Sequence, residues 1–195
     1  MSSTRTSIPI APTIPKRADA RRNYERILTV ARKAFAEGGE STSLEAIARQ
    51  ANVGIGTLYR HFPSRQALLE TLYIKEVYEV CRSASQSEQD PWQALSAWCE
   101  ELIDYLCTKR ALAQELLNYL DEDAALFQEC RRTVYDAGEP LLERAQDAGA
   151  VRPDVDLSDV LQMLGGISRM PVNDAAQVRH VVRIALDGLR YRPPA

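Results

Sequence analysis

The stretch from residue 42 to residue 65, TSLEAIARQANVGIGTLYRHFPSR, constrains the fold of this chain more than any other. It begins with Thr42 or Ser43, either of which can cap a helix with its side-chain oxygen, and Glu45 stands at the capping-box position relative to Thr42. Apolar residues then recur at helical spacing until Asn52, a residue that tolerates the left-handed conformation in which helices end. The pattern predicts a short helix, a tight turn and a second short helix.

The second helix is predicted to begin at Gly54 or Ile55 and to end at Phe62, because the proline that follows disfavours the helical conformation in the residue before it. Ile55 and Leu58 are expected to point inward. A glycine inside a helix costs about 1 kcal/mol relative to alanine, and packing gives no reason for both Gly54 and Gly56. A helix that enters the major groove of DNA must be slim at its N-terminal end. We therefore interpret residues 43–62 as a helix-turn-helix motif.

The outward positions of this second helix carry side chains suited to DNA. Thr57 can reach a base edge or a thymine methyl group, and Tyr59 and His61 can donate to phosphate oxygens. Arg65 lies in the first turn of the next helix, where its charge and the free backbone N–H groups favour a phosphate. Two alternatives stay open, since His61 could be a structural cap and Arg60 a solvated surface charge.

At these residues the chain resembles the TetR family of transcriptional repressors. The matching pieces are the end of an alanine-rich first helix at residues 35–38, FAEG, the block at residues 44–51, and above all GTLYRHF at residues 56–62. The resemblance in these motifs covers residues 20–75. Beyond them it extends only to the length of the chain and its helical pattern.

Three positions depart from the family pattern. Asn52 replaces the usual glycine of the turn, Gly54 replaces a usual capping serine, and Arg65 replaces the usual lysine and keeps its charge. The resemblance implies that a palindromic double-stranded DNA operator and a small-molecule effector are the partners of a homodimer. No cofactor is expected. The candidate DNA-binding residues include five that the resemblance carries over and three of their neighbours: Thr42, Thr57, Tyr59, His61 and Arg65, together with Ser43, Gly56 and Arg60.

The distribution of charge agrees with a DNA-binding head. The whole chain has a net charge of −3. Residues 1–65, however, carry 11 Lys and Arg against 5 Asp and Glu, whereas the remainder carries 13 against 22. A basic N-terminal third on an acidic body is typical of a nucleic-acid-binding head on a globular core.

The chain divides into three predicted segments. Residues 1–18 are rich in Ser, Thr and Pro and are predicted to form a disordered basic arm, residues 19–65 the helix-turn-helix domain, and residues 66–195 a helical ligand-binding and dimerisation domain. No apolar run is long enough for a signal peptide or a membrane span, so a cytoplasmic protein without a membrane partner is expected.

Apolar residues at helical spacing predict an all-α fold. The expected helices cover residues 20–37, the two of the motif, and residues 64–85, the last of which joins head to body and would transmit movement between them. Asp90 and Pro91 mark another helix start, as N-cap and first helical residue. A shorter helix over 111–120 and a long one over 122–148, bent near Gly138 and Pro140, are expected to follow.

Two further helices, over 156–170 and 174–191, are predicted to end the chain, separated by Pro171 and with Asn173 as a cap. Both are strongly apolar, and the Gly165–Gly166 pair would allow another helix to approach closely. The family resemblance implies that residues 156–191 form a four-helix dimer interface with a second copy. The alternative is that both helices complete the core of the monomer.

A ligand pocket in the body is implied by the family resemblance rather than by spacing. Its candidate residues are aromatic, apolar or basic: Trp98, Leu102, Tyr105, Tyr119, Phe127, Met163 and Arg169. Aromatic and methionine residues at helical spacing are also ordinary core residues. Arg169 could hold an anionic ligand or be a surface charge.

The sequence gives little support for catalysis or metal binding, and we expect no enzyme. The acidic run at residues 121–123 suits a helix start, and the four cysteines lack metal-ligand spacing. Cys99 and Cys107 could share a helix face and act as a redox pair, or they could be reduced thiols.

The sequence therefore predicts a dimeric repressor that an effector releases from DNA. Two alternatives remain, namely a regulator with the opposite ligand response, such as an activator, and a helical small-molecule-binding or interaction protein without specific DNA binding.

Overall fold

The computed structural model describes residues 12, 14–38, 41–85, 90–170 and 174–190. Within these ranges the chain is all-α, and its one β-type contact is an isolated antiparallel bridge between Val151 and Arg190. The helices are α1 (Ala18–Gly38), α2 (Leu44–Gln50), α3 (Ile55–His61), α4 (Arg65–Ser85), α5 (Pro91–Leu116), α6 (Ala125–Asp147), α7 (Leu157–Ser168) and α8 (Ala175–Asp187). None of the described helices is both long enough and apolar enough to cross a membrane.

The first three helices form the predicted head. Ser43 is the N-cap of α2, and its hydroxyl oxygen accepts from the backbone N–H of Ala46 at 3.1 Å. The turn after α2 has Asn52 in the left-handed conformation, with φ 50°. The backbone N–H of Val53 then donates to the carbonyl of Ala48 at 3.0 Å. The predicted helix-turn-helix is confirmed, including the turn role of Asn52.

A long-range hydrogen bond holds this turn. Arg26 of α1 donates from its guanidinium to the carbonyl oxygen of Asn52 at 2.8 Å. A left-handed turn leaves backbone carbonyls without helical partners, and the arginine satisfies one of them. The α1 helix therefore supports the motif through this bond as well as through its buried face, which includes Ile27 and Phe35.

The α4 helix links the head to the body. It begins after Ser64, whose hydroxyl oxygen accepts from the N–H of Ala67 at 3.0 Å, and packs against α5 and α6. The next helix begins as predicted, with the Asp90 carboxylate accepting from two backbone N–H groups and Pro91 as its first residue. It then continues without a break to Leu116, so the separate helix predicted over 111–120 is wrong. No proline or glycine interrupts this segment, and Leu112 and Leu116 continue the buried face of α5.

One close approach fixes how α5 and α6 meet. A Cβ atom at Gly138 would lie 2.4 Å from Cη2 of Trp98, closer than any side chain tolerates. The absence of a side chain at Gly138 therefore leaves room for the indole ring of Trp98, which is buried in the core. Pro140 lies within α6, which runs on past it to Asp147.

The last two helices pack on each other and on α5. Asp156 caps α7 in a reciprocal capping box with Asp159, and Asp174 caps α8 by accepting from the N–H of Ala176. The predicted helix break at Pro171 and the predicted cap at Asn173 lie outside the described residues, as does most of the predicted arm.

Candidate DNA-binding surface and body cavity

The α3 helix presents one face to the protein and the other to solvent. Leu58 is fully buried, whereas Tyr59 is 43% exposed. Gly56 is also exposed, and no atom lies within 4 Å of the Cβ position it lacks. Ile55 is 39% exposed, so the prediction that it points inward is wrong. It stands one helical turn before Tyr59 and shares the outer face with it.

His61 lies at the edge of this surface. Its ring packs edge-on against Tyr24 of α1, with the ring centroids 6.1 Å apart, and Tyr24 in turn stacks on Phe62 at 5.3 Å. Partial burial and the neighbouring charge of Arg60 lower the pKa of His61 below its usual 6.5. The imidazole is therefore neutral at pH 7 and can still donate one N–H to a phosphate. Arg60 itself is exposed.

Thr42 and Ser43 serve the structure at the start of α2. The hydroxyl of Thr42 donates to the carbonyl oxygen of Ala34 at 2.9 Å, which ties the loop to the end of α1. Ser43 is the helix cap and remains exposed. A DNA contact by either residue stays a prediction.

Arg65 occupies a different environment from the one predicted. Its guanidinium donates to the carboxylate of Glu115 at 2.8 Å and to the carbonyl oxygen of Thr42, and its centre lies 4.7 Å from the ring centroid of Phe35. The side chain is only 19% exposed. In this structure Arg65 holds the head on the body instead of presenting its charge to a phosphate, because Glu115 is a buried carboxylate that needs a cation.

Two further ion pairs join α1 to α4. Arg32 donates to the buried carboxylate of Glu76 at 2.7 Å, and Lys75 lies 3.6 Å from the carboxylate of Glu25. None of these pairs was predicted from the sequence. A signal was present in one case, since Glu76 interrupts the apolar face of α4 between Tyr73 and Val77, but its partner is 44 residues away.

The body contains a cavity of about 330 Å³ between α5, α6 and α7. Small-molecule sites usually span roughly 300–1,000 Å³. Its walls are largely apolar, with two phenols and two arginines among the lining side chains. They include Leu102, Leu106, Val134 and Leu161, the phenols Tyr105 and Tyr135, and the cations Arg131 and Arg169.

Three of the seven residues predicted for a pocket line this cavity, namely Leu102, Tyr105 and Arg169. The other four do not. Trp98 is packed into the core against Gly138, and Phe127 is buried against Tyr73 with ring centroids 5.4 Å apart.

Tyr119 lies beyond the end of α5 and is 44% exposed. Met163 packs on the core from a different face of α7 than Leu161 and Gly165, which line the cavity. Helical spacing in the sequence separates buried from exposed positions, but it does not separate positions beside a cavity from positions in a filled core.

The structure also locates the candidates for other chemistry. Cys99 is buried and Cys107 is exposed, and both are free thiols. Burial raises the pKa of Cys99 to about 12, which makes its thiolate inaccessible at neutral pH. The described part of the chain holds no cluster of three or more His, Cys, Asp or Glu residues that could bind a metal ion.

A three-helix head with an outward recognition helix, joined by α4 to a helical body, defines the protein as a helix-turn-helix transcriptional regulator. Comparison with known proteins identifies the family. Residues 27–72 match the model of bacterial regulatory proteins of the TetR family, and residues 90–191 match the C-terminal domain of SbtR-like transcriptional regulators. The chain belongs to the TetR family.

Individual relatives agree. A TetR transcriptional regulator from Streptomyces coelicolor is 36% identical, with a TM-score of 0.75 over 86% of this chain and 98% of that one. A TetR regulatory protein from Mycobacterium vanbaalenii is 32% identical, with a TM-score of 0.73 over 91% and 100%. Helix-turn-helix transcriptional regulators of Staphylococcus aureus are 45% identical over 102 residues, which is 50% of this chain and 55% of theirs. The match thus spans about half the length of these curated relatives.

Proposed function

We propose that this regulator is a repressor that binds a palindromic operator as a homodimer and releases it when a small molecule occupies the body. The observation that carries the proposal is the outer face of α3, where an exposed tyrosine follows an unobstructed glycine. Tyr59 is 43% exposed and Gly56 has open space around it, while Leu58 anchors the helix to the core. Such a helix can lie in the major groove with its backbone close to the bases.

The position of each candidate residue on the head gives its proposed contact with DNA. Thr57 is the proposed base reader, and Tyr59, Arg60 and His61 the proposed phosphate contacts. Thr42 and Ser43 lie at the N-terminal end of α2, where a phosphate would meet free backbone N–H groups. The Arg65 guanidinium donates to Glu115 and to the Thr42 carbonyl oxygen, so we assign it to the joint between head and body.

The proposed dimer forms through α7 and α8. Val182 and Leu186 face the core and are buried, whereas Ile184 on the opposite side of α8 is 59% exposed. Gly166 on α7 has open space around it. An exposed large apolar side chain on α8 and an unobstructed glycine on α7 both favour packing of a second copy on these helices, and a two-fold dimer would present two α3 helices to successive major grooves.

The proposed route of regulation runs through α4 and the ion pairs at its head end. The cavity is bounded by α5 and α6, both of which pack on α4. An effector must bind the released state better than the DNA-competent one, and a coupling of about 1–3 kcal/mol changes affinity roughly 5- to 150-fold.

Binding of the purified protein to fragments of its own upstream DNA, across a salt series and with competitor DNA, tests the proposal. We expect tight, competitor-resistant binding at a palindrome that weakens steeply with salt. Tyr59→Phe and Thr57→Ala should weaken it without unfolding the protein. Unchanged affinity in both variants, or weak binding even to random-sequence pools, would leave a helical ligand-binding protein as the better interpretation.

A further inference from the structure

We propose that the effector of the body cavity is an amphipathic organic anion, with a carboxylate or similar acidic group on an apolar aromatic or aliphatic body. This inference rests on the proposed function, in which the cavity between α5, α6 and α7 holds the effector. It adds the chemical class of the ligand and the two residues that recognise its charge.

The charge around the cavity is of one sign. Arg131 on α6 and Arg169 at the end of α7 both line it, and none of the described residues in its walls is acidic. Within the described ranges neither guanidinium has an ion pair or a side-chain hydrogen bond, whereas the adjacent Arg132 is paired with Glu129 at 3.1 Å. Two unpaired guanidinium groups at one apolar cavity favour an anion, because arginine binds carboxylates with parallel charge-assisted hydrogen bonds.

The side chain of Arg169 is directed back along its own helix toward the cavity. Its Nη2 atom lies 3.9 Å from the position that a Cβ atom on Gly165 would occupy, and Gly165 also lines the cavity. The arginine therefore lies over the glycine. The positive charge of Arg169 would also interact favourably with the C-terminal end of α7 if the side chain extended into solvent. That interaction therefore does not explain why the side chain points toward the cavity.

The remaining walls fit the apolar part of such a ligand. Leu102, Leu106, Val134 and Leu161 supply an aliphatic surface. Tyr135, which is 38% exposed, offers an aromatic face and a hydroxyl group. Both arginines are exposed and can pair with an acidic group, while the apolar walls can cover the rest of the ligand, so the combination fits an amphiphile.

The position of the two arginines connects the ligand to the movements proposed above. Arg131 belongs to α6, which packs on α4, and Arg169 is the C-cap residue of α7, which forms part of the proposed dimer face. An anion bound by both guanidinium groups would draw α6 and α7 together at this point. Binding would thus act between the helix that carries the head and the helices that hold the dimer.

Calorimetric titration with matched neutral and acidic probes tests the inference. The probes are 1-naphthaleneacetate, its primary amide 1-naphthaleneacetamide, and decanoate, added to the full-length protein. We expect at least one of the two acids to bind, and the naphthyl acid to bind about tenfold or more tightly than its amide. Arg131→Gln and Arg169→Gln should each weaken binding of the acid about tenfold or more, while leaving the amide unchanged.

Arg132→Gln is the matched control, since it removes the same charge one residue away from Arg131 and outside the cavity. Equal binding of acid and amide, an equal loss in Arg132→Gln, or no binding of either acid by the folded protein would overturn the inference. Loss of the dimer in Arg169→Gln, measured by light scattering, would also overturn it, because the arginine would then serve the interface.

The DNA titration of the same samples separates this inference from the proposed function. Selective binding of the acid by a protein that binds no DNA would support the ligand assignment and refute the proposed repressor function. Specific DNA binding by a protein that distinguishes neither acid from amide would do the reverse.

Discussion

The guanidinium of Arg65 donates to the carboxylate of Glu115 at 2.8 Å, across 50 residues of sequence. Arg65 is in the first turn of α4, directly after the recognition helix, and Glu115 is near the end of α5 in the body. The pair therefore joins the DNA-binding head to the body at one point. Both side chains are largely buried, with 19% and 7% of their surfaces exposed.

Removing one partner of this pair should destabilise the protein strongly. We expect Glu115→Leu to lower the free energy of unfolding by about 3 kcal/mol, because Arg65 keeps a largely buried charge without its carboxylate. The double variant with Arg65→Met should recover most of the loss. Urea unfolding followed by circular dichroism measures these changes. The control is Arg132→Gln, which removes an exposed ion pair and should change the free energy of unfolding by less than about 1 kcal/mol. A loss in Glu115→Leu no larger than in that control would contradict the assignment.

Replacing the glycine in the recognition helix should affect stability and DNA binding in opposite directions. Gly56→Ala has open space for the new methyl group, and alanine favours the helix by up to about 1 kcal/mol. We expect the variant to be as stable as the wild type or more so, and to bind DNA at least about tenfold more weakly, since the methyl group would keep α3 from the groove. Thermal unfolding and DNA titration together measure both effects. Unimpaired DNA binding would show that the backbone does not approach the bases.

Acidification should move stability and DNA affinity in opposite directions through His61. Its folded pKa lies below 6.5, so the folded state resists protonation. The stability that His61 contributes is therefore complete above pH 6.5 and is lost as the pH falls through the lowered pKa. A nearby phosphate favours the imidazolium, so DNA binding should take up a proton and strengthen as the pH falls from 7 to about 5.5, by at most tenfold per pH unit.

His61→Gln is the control for this pH dependence, measured by DNA titration and urea unfolding at each pH. Both trends should flatten in the variant relative to the wild type. If the pH dependence of DNA affinity is the same in the two proteins, His61 does not contact a phosphate and serves only to pack against Tyr24.

A charge on the outer face of α8 should separate the proposed dimer. We expect Ile184→Asp to convert the protein to a monomer of 21.8 kDa, because burying an unpaired carboxylate costs more than the interface can supply. Light scattering after size exclusion measures the mass. Tyr119→Asp is the matched control, since Tyr119 is another exposed large side chain, outside α7 and α8. A wild-type protein that runs as a monomer would refute the proposed interface.

The contact between Gly138 and Trp98 should be intolerant of a single methyl group. Gly138→Ala places a Cβ 2.4 Å from Cη2 of the indole, and we expect a loss of about 1–3 kcal/mol from overpacking. Trp98→Phe in the same chain should recover part of that loss, because the smaller ring lacks the clashing atoms. Chemical denaturation of the single and double variants tests this. A Gly138→Ala variant as stable as Gly56→Ala would mean that the core relaxes at no cost.

The sequence alone determined the parts of this protein that local interactions control. The capping residues Ser43 and Asp90, the left-handed turn at Asn52 and the end of α3 at Phe62 were all predictable, since each depends on residues within one or two helical turns. The motif GTLYRHF indicated the family, and apolar residues at helical spacing predicted the helical body.

Only the tertiary structure decided the relations that join distant residues. Neither Arg26 with Asn52 nor Arg65 with Glu115 has a local signal, because an ion pair or hydrogen bond across 26 or 50 residues depends on how whole helices pack. The same holds for the cavity, since periodicity shows that a side chain faces inward but not whether another side chain fills the space before it. Tertiary packing therefore pairs Arg65, which the sequence predicts to contact a phosphate, with Glu115 of the body.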